Sequence, residues 1–418
     1  MKNEDATTAG PTTPGEAAGG GLSRMMVLVF ALTCGLSVAN VYYAQPLLDA
    51  MARDLRIEPA AIGIVVTLTQ VGYAFGLILI VPLGDLVDRR RLILGQTVLS
   101  AIALVVVGTA SNAALLLTGM VLVGVLAVVV QVVVAFAATL ATPAARGSAI
   151  GTVTSGVVAG VLLARFFAGA LADIGGWRSV YLTSAALMLA MAILLARVLP
   201  RSRQALDLSR YPALLRSTAA LFVQEPILRE RALFAFFIFA SVNVFWNSIV
   251  LPLSAPPFSM SHGAIGSLGI VGVAGALAAR NAGRWADLGW SQRTTGLSLM
   301  LMLAAWVPIA CLNYSLWPVV AGVIMIDLAV QAVHVTNQSL IIAARPDAAS
   351  RLIGGYMVFY SIGCAVGAIS STMAYAFAGW IGVCVLGSII SAGALLFWVV
   401  IVSRTPMPAG AAYGGGRT

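Results

Sequence analysis

The chain has 418 residues, of which 60% are hydrophobic and 9% are charged, and its mean hydropathy is +0.98. These values lie far outside those of soluble globular domains. A net charge of +9 could suggest a nucleic-acid partner, but the basic residues are spread over short segments between apolar runs. Composition therefore predicts an integral membrane protein whose positive charge sets its orientation.

The first 23 residues precede any apolar run. They are rich in Thr, Pro, Gly and acidic residues. No basic region leads directly into an apolar stretch, so this segment is not typical of a signal peptide. We expect residues 1–23 to form a disordered cytoplasmic tail.

Apolar runs of about 20 residues then recur, each long enough to cross a hydrocarbon core of about 30 Å as a helix. The predicted fold class is an all-α membrane protein. The runs predict twelve transmembrane helices, near residues 25–48, 60–83, 92–110, 114–140, 148–172, 178–199, 232–253, 263–282, 294–312, 316–342, 352–378 and 381–403.

A polar, arginine-rich segment divides six of these spans from the other six. Landmarks recur across it at an offset of 203 residues: Asn40 and Asn243, Pro143 and Pro346, and Gly176-Trp177 and Gly379-Trp380. Such recurrence is typical of transporters built from two parallel repeats. The predicted organisation is an N-terminal six-helix half (24–199), a cytoplasmic linker (200–231), a C-terminal six-helix half (232–403) and a cytoplasmic tail (404–418).

The basic residues favour one orientation in the membrane. With the N-terminus inside, 20 of the 24 Lys and Arg residues fall on the cytoplasmic side. Arg53, Arg56 and Arg178 fall on the opposite side, and Arg165 lies within the fifth span. Because Lys and Arg concentrate in cytoplasmic loops, we expect both termini in the cytoplasm.

The residues needed for several kinds of chemistry are missing. Lys2 is the only lysine, so a phosphate-binding loop that ends in Lys-Ser/Thr is excluded. The two histidines, His262 and His334, are too far apart for the paired-His zinc motif, and no Gly-x-Ser-x-Gly sequence occurs. We therefore expect no enzymatic activity, cofactor or metal, and a process driven by a gradient.

Two short loops carry related motifs, "VPLGDLVDRRRLIL" (81–94) after the second span and "GRWADLGWSQRTTG" (283–296) after the eighth. Both resemble the signature loop of the major facilitator superfamily. In the first loop Asp85, Arg89 and Arg90 match the family pattern, whereas Val81, Leu86 and Asp88 depart from it. The second loop keeps Gly283, Asp287 and Arg293.

A carboxylate at a helix end can pair with arginines and with the N-terminus of a neighbouring helix, and conformational change can break such contacts. The resemblance implies a cytoplasmic gate made of Asp85, Arg89, Arg90, Asp287 and Arg293. The alternative is that these arginines only fix the orientation of the chain.

Three further stretches resemble the bacterial drug/proton antiporter branch of this superfamily: "ANVYYAQPLL" (39–48), "GGWRSVY" (175–181) and "DLAVQAVHVTNQ" (327–338). The resemblance extends from about Arg24 to Arg404. The fifth span departs from the exporter pattern, because Arg165 in "GVLLARFFAG" (160–169) stands where proline is expected.

The tenth span is polar along one side. In "VIMIDLAVQAVHVTNQSL" (323–340), Asp327, Gln331, His334 and Gln338 share one helical face. Ionisable groups that face lipid are costly, so such a face indicates a watery cavity or a partner. The resemblance implies that spans 1, 4, 7 and 10 line this cavity. The predicted substrate residues are Asn40, Tyr43, Gln131, Asn243, Trp246, Asn247, Gln331 and Gln338.

Asp327 is the only acidic residue in the middle of a predicted span, and we predict that it couples transport to protons, with His334 and Arg165 as further candidates. Asp327 could instead be a structural hydrogen-bonded acid, and His334 a packing residue. Arg165 could pair with Asp327, bind substrate anions or extend to the membrane surface. Trp246 and Tyr43 could serve packing alone.

The sequence thus predicts an alternating-access transporter that exports small organic molecules, as drugs or metabolites, in exchange for protons. Uptake or uniport of a polar metabolite is an alternative that the missing proline favours, and a non-transporting membrane sensor is a remote one. The expected partners are a small-molecule substrate, protons and the lipid bilayer. We expect a monomer in a bacterial inner membrane.

Overall fold

The computed structural model describes residues 23–142, 145–200, 211–278, 290–345 and 349–404. Within these ranges all regular secondary structure is helical. The predicted all-α fold class is therefore confirmed. We refer to residues 23–200 as the N-terminal half and to residues 211–404 as the C-terminal half.

The helices follow one another with short connections. Those of the N-terminal half are α1 (Arg24–Tyr42), α2 (Leu48–Leu55), α3 (Ile64–Leu79), α4 (Arg89–Gly108), α5 (Ala113–Ala127), α6 (Val129–Leu140) and α7 (Arg146–Val198). Those of the C-terminal half are α8 (Tyr211–Gln224), α9 (Pro226–Ser248), α10 (Val250–Ser254), α11 (His262–Ala278), α12 (Ser291–Ala310), α13 (Leu316–Ala344) and α14 (Ala349–Arg404).

Nine helical stretches within the described ranges are long and apolar enough to cross a membrane. Two of them, Arg146–Val198 and Arg351–Ser403, contain 53 residues each. At a rise of 1.5 Å per residue the helical residues of each add up to about 80 Å, more than twice the thickness of a hydrocarbon core, but each stretch is broken near its middle. A shorter apolar helix covers His262–Gly272. The number of membrane crossings stays a prediction.

Both long helices are interrupted by a glycine. Gly176 has φ 74° and ψ 170°, and Gly379 has φ 61° and ψ −155°. Only glycine adopts this region of backbone conformation readily. The two residues are 203 positions apart in the sequence, so the Gly-Trp landmarks mark the same local break in each half.

The starts of several helices are set by polar caps. A side chain at the N-cap accepts a hydrogen bond from a free backbone N–H of the first turn, which ends the preceding loop at that residue. The pairs are Ser23 with Met26, Asp88 with Arg90, Asn112 with Leu115, and Ser315 with Trp317.

The predicted linker contains helix α8, and α9 begins at Pro226, six residues before the predicted seventh span. The hydroxyl of Tyr211, on α8, donates to the carbonyl of Leu79 in the other half at 2.8 Å. We call this side of the bundle, where α8 lies and where α7 ends, the linker end. The opposite side, where α7 breaks at Gly176 and α11 begins at His262, is the far end.

Glycine stripes allow helices to pack backbone to backbone. A Cβ at Gly156 or Gly160 would collide with Ala31 or Gly35, so α7 packs tightly on α1 within the N-terminal half. In the same way Gly363 of α14 packs against Phe236 of α9, within the C-terminal half. These stripes hold each half together.

A different set of glycines joins the two halves. A Cβ at Gly169 of α7 would meet the carbonyl of His262, and one at Gly266 of α11 would meet the carbonyl of Arg165. Gly63, just before α3, packs against the carbonyl of Ala368 on α14. The halves therefore approach most closely between the middle of the bundle and its far end.

Candidate functional site

Arg165 lies where the two halves meet. It projects from α7 and is 6% exposed. Its Nε donates to Oε1 of Gln45 at 2.7 Å, and its Cζ lies 3.9 Å from the ring centre of Trp246 and 5.4 Å from that of Tyr42. The side chain is therefore enclosed by protein, which is incompatible with extension to the membrane surface.

Gln45 connects Arg165 to the C-terminal half. It lies in the short 3-10 turn Gln45–Leu47 after α1 and is buried. Its Nε2 donates to Oδ1 of Asn243 at 3.2 Å. Nδ2 of Asn247 donates to the same oxygen at 3.1 Å, and Nδ2 of Asn243 donates to the carbonyl of Phe239 at 2.9 Å. This chain of amides fixes the rotamer of Gln45 and hence the plane of the guanidinium group.

Asp327 reaches the same site from α13. Nε1 of Trp246 donates to its Oδ1 at 3.4 Å, whereas the buried Oδ2 has no hydrogen-bond partner among the described residues. Oδ2 packs against Gly272 of α11, where a Cβ would collide with it. No direct ion pair joins Asp327 to Arg165 in the described part of the chain. The indole of Trp246 contacts both.

His334 lies two helical turns further along α13 and belongs to an aromatic group. Its Nδ1 is 2.8 Å from the hydroxyl of Tyr356, and its Nε2 is 3.2 Å from Nε2 of Gln338. The ring stands edge-on against Phe239, with centroids 5.1 Å apart. His334 is therefore held in place by three neighbours and does not contact Asp327.

Tyr360 of α14 links the two groups. Its ring packs on Phe239 with centroids 4.1 Å apart, and its hydroxyl is hydrogen-bonded to that of Tyr42, which also flanks Arg165. Tyr73 of α3 lies 6.5 Å from the Tyr360 ring, and Gln131 donates to the Tyr73 hydroxyl at 3.2 Å. A continuous polar and aromatic layer thus runs from Arg165 to His334.

Some predicted cavity residues lie outside this layer. Asn40 accepts a hydrogen bond from Ser184 at 2.6 Å, and Tyr43 packs edge-on against Tyr181 with centroids 6.4 Å apart. Both contacts lie within the N-terminal half. Gln331 makes no side-chain hydrogen bond among the described residues. The roles predicted for these three residues stay predictions.

The predicted gate loops are described in part. Arg89 donates to the carbonyl of Gly84 at 2.8 Å and to the hydroxyl of Thr139 at 3.1 Å. Arg90 donates to the carbonyl of Ala196 at 2.6 Å, which ties α4 to the end of α7. Arg293 is exposed at the start of α12. The side chain of Asp85 and the whole of Asp287 lie outside the described residues.

A charged cluster at the far end joins the halves. Nε2 of His262 is 3.0 Å from Oδ1 of Asp49, and its Nδ1 is 3.6 Å from Oδ1 of Asp173. The backbone N–H groups of His262 and Gly263 donate to Asp173 at 3.0 and 2.8 Å. Arg53 pairs with Asp49 at 2.9 Å.

Each of the surrounding charged groups changes the pKa of His262. The hydrogen bond with Asp49 raises the pKa of His262 above its usual value, against the effect of partial burial. The charges of Asp49 and Asp173 add to this increase, and Arg53 opposes it. A protonated His262 therefore binds the two halves together at the far end.

Sequence reasoning missed Gln45, Tyr42 and Tyr360. Gln45 lies in a turn, so helical spacing does not predict the direction of its side chain. Tyr42 and Tyr43 are adjacent, so their side chains point about 100° apart on a helix, and no sequence pattern distinguishes the one that faces Arg165. No sequence pattern connects Gln45 with Arg165, because the two residues are 120 positions apart.

Comparison with known proteins identifies the family of this chain. The model of the Major Facilitator Superfamily matches residues 28–293. The chain belongs to the major facilitator superfamily. It is similar to the "Uncharacterized transporter YgaY" of Escherichia coli O157:H7, with 44% identity over 377 residues, 90% of this chain and 95% of that protein. It is also similar to the "Probable transporter SCO4007" of Streptomyces coelicolor, with 27% identity covering 96% and 94% of the two chains.

Solved superfamily structures share the fold. A bacterial homolog of the human lysosomal transporter Spinster, inward-facing and occupied, matches with a TM-score of 0.74 and 17% identity, over 91% of this chain and 97% of that chain. The human organic anion transporter MFSD10 (TETRAN) matches with a TM-score of 0.62 and 18% identity, over 90% and 99%. The chain is therefore a multi-pass membrane transporter of this superfamily, as its loops predicted. Its branch within the superfamily stays a prediction.

Proposed function

We propose that this transporter exports small organic molecules in exchange for protons, with Asp327 as the residue that carries the proton. The observation that carries this proposal is the position of Asp327. Its Oδ2 is buried without a hydrogen-bond partner among the described residues, at a place where α9, α11 and α13 meet. Ionisable groups in such places commonly form proton pathways.

Coupling follows from the energetics of charge burial. An unpaired charged carboxylate is costly in an apolar environment, whereas a neutral one is tolerated. Proton binding and release at Asp327 would change the free energy of closing the bundle around it. Trp246 transmits this change to the N-terminal half, because its ring also contacts Arg165. His334 is the second proton candidate, through its contacts with Tyr356 and Gln338.

The membrane topology we propose has twelve spans in two six-helix halves, 24–199 and 232–403, joined by a cytoplasmic linker at 200–231. Each 53-residue helix would cross twice, with its glycine break at the far end. Helix α11 would form the eighth span. The excess of arginines at the linker end supports cytoplasmic termini and an inner-membrane location. We propose that one chain, as a monomer, contains the whole pathway.

In this orientation the far end faces outward and is closed, so the described conformation would open toward the cytoplasm. Rocking of the halves would break the His262 cluster and close the linker end. At the linker end, Arg89 and Arg90 bind backbone carbonyls in the described conformation. We propose that these two arginines, with Asp85, Asp287 and Arg293, form the cytoplasmic gate.

One observation favours uptake or uniport as a second candidate. Arg165 stands where exporters of this superfamily have proline, and the structure buries it at the joint between the halves.

Growth assays separate the candidates. An efflux-deficient bacterium should express the wild type or Asp327→Asn at equal membrane levels, and growth should be scored against antibiotics, dyes and toxic metabolite analogues. Resistance from the wild type alone supports export, whereas sensitisation to an analogue supports uptake.

A further inference from the structure

The guanidinium group of Arg165 has hydrogen-bond donors that the protein does not use. Its side chain is 6% exposed and makes one hydrogen bond, from Nε to Oε1 of Gln45. The terminal nitrogens Nη1 and Nη2 have no acceptor among the described residues. Because arginine carries five N–H donors, most of its hydrogen-bonding capacity is directed into the joint between the halves.

The positive charge is also without a direct counter-ion in the described part of the chain. Asp327, the acidic residue of this site, is held at the N–H edge of Trp246. The rings of Trp246 and Tyr42 attract the cation through their faces, 3.9 and 5.4 Å away, but they accept none of its hydrogen bonds. A buried cation in this state is costly unless an anion joins it.

A small cavity lies beside the guanidinium group. Its walls are mostly apolar and aromatic, with Arg165 as the charged member, and include Trp246, Ile249, Val250 and Ile265. Gly266 and Gly269 of α11 pack against the backbone and stem of Arg165, so separation of α11 from α7 would widen this space. In this conformation the space is about 10 Å³ and holds no more than a water-sized group, so an anion with an apolar body would enter it only when the helices separate.

We propose that Arg165 binds the carboxylate of the transported solute, so that the substrates are small organic anions with an apolar or aromatic body. This inference rests on the proposed transport function and specifies its substrate class. The planar guanidinium fork suits two-point binding of a carboxylate. Gln45 acts as a positioning residue, because its contacts with Arg165 and Asn243 fix the orientation of the fork.

The wild-type protein provides the first test. The unfolding temperature of purified full-length protein in detergent would be measured with benzoate or hexanoate present. The same measurement would be made with benzamide or hexanamide, which have the same shape but no charge. The acids should bind at least about tenfold more tightly than their amides, because a charge-assisted hydrogen bond is replaced by a neutral one. Equal stabilisation by acids and amides, or none by either acid, would overturn the proposal.

Variants then locate the site. Arg165→Gln should lose the preference for acids, and Arg165→Lys, which keeps the charge but not the fork, should retain part of it. Gln45→Glu places a fixed carboxylate 2.7 Å from the Arg165 Nε and should exclude added acids. Arg197→Gln, at an exposed position on the same helix, should behave as wild type. Preserved acid preference in a folded Gln45→Glu protein would contradict the proposal.

Failure of this inference can be distinguished from failure of the transport proposal. If the wild type pumps neutral compounds with proton coupling and binds acids no better than amides, only the substrate class is wrong. If it binds acids through Arg165 but Asp327→Asn leaves proton-driven flux unchanged, the anion site stands and the coupling proposal fails.

Discussion

Arg165 and Asp327 contact the same indole ring from different directions. The Arg165 guanidinium lies over the face of Trp246, 3.9 Å from its centre, and Oδ1 of Asp327 accepts a hydrogen bond from its Nε1 at 3.4 Å. The two charged side chains come from different halves of the chain. Trp246 therefore connects the anion site proposed at Arg165 with the proton site proposed at Asp327.

Trp246→Phe should separate these two roles. Phenylalanine keeps an aromatic face for Arg165 but removes the N–H that Asp327 uses, and loss of such a hydrogen bond costs roughly 1–3 kcal/mol. We expect acid binding to persist while proton-driven flux falls roughly tenfold. Trp246→Leu, which also removes the aromatic face, should reduce both. Thermal shifts with benzoate and flux in proteoliposomes measure the two effects, and equal losses in the Phe variant would contradict this division of roles.

Closure of the far end requires Gly169. A methyl group there would meet the carbonyl of His262 on the other half. Overpacking of this kind costs about 1–3 kcal/mol, so Gly169→Ala should favour separation of the far end. Gly151→Ala lies on the same helix in open space and serves as the control. Spin labels at Ser111 and Asn313, exposed at the far end of each half, should report a longer distance in Gly169→Ala only.

The far end should also respond to pH. Since the hydrogen bond with Asp49 raises the pKa of His262, protonation stabilises the closed far end. The stabilisation of the closed far end by protonated His262 is fully present below the usual histidine pKa of about 6.5. It is lost as pH rises through the raised pKa of His262 in the folded protein. The Ser111–Asn313 distance should lengthen with rising pH in the wild type. A His262→Gln protein that showed the same pH dependence would rule out His262 as the sensor.

The breaks in the two long helices should be sensitive to any side chain. Gly176 and Gly379 adopt backbone angles that are essentially confined to glycine. Gly176→Ala and Gly379→Ala should each destabilise the protein by about 1–3 kcal/mol. Gly354→Ala, within helix α14 and with open space around it, should instead be neutral or stabilising by up to about 1 kcal/mol. Thermal unfolding in detergent measures the stability of the three variants. Equal changes in stability would contradict the claim that the backbone at Gly176 and Gly379 is strained for any residue other than glycine.

Much of the fold could be predicted from the sequence. Apolar runs gave the positions of the helices within a few residues, and the breaks at Gly176 and Gly379 lie between predicted spans, although the sequence identifies the two glycines only as landmarks of a repeat. These features are local, since they depend on hydrophobic length and on backbone conformation. The superfamily could be predicted because Asp85, Arg89 and Arg90 form a short contiguous motif.

The site was less predictable because it depends on long-range packing. Helical spacing on α13 placed Asp327 and His334 on one face, but it could not show that Trp246 lies between Arg165 and Asp327. Gln45 contacts Arg165 across 120 positions of the chain, and a turn rather than a helix directs it there. Tyr43 is as polar as Tyr42, yet its ring packs on Tyr181 inside one half.

Proton exchange through Asp327 is the central claim, and everted membrane vesicles measure it most directly. Respiration would acidify the vesicles in the presence of a quenched pH-gradient dye, and each compound to which the wild type confers resistance would be added. Wild-type and Asp327→Glu vesicles should release protons and restore fluorescence, whereas Asp327→Asn vesicles should not. Equal proton release from Asp327→Asn vesicles, or transport of these compounds by the wild type without any proton release, would contradict the claim.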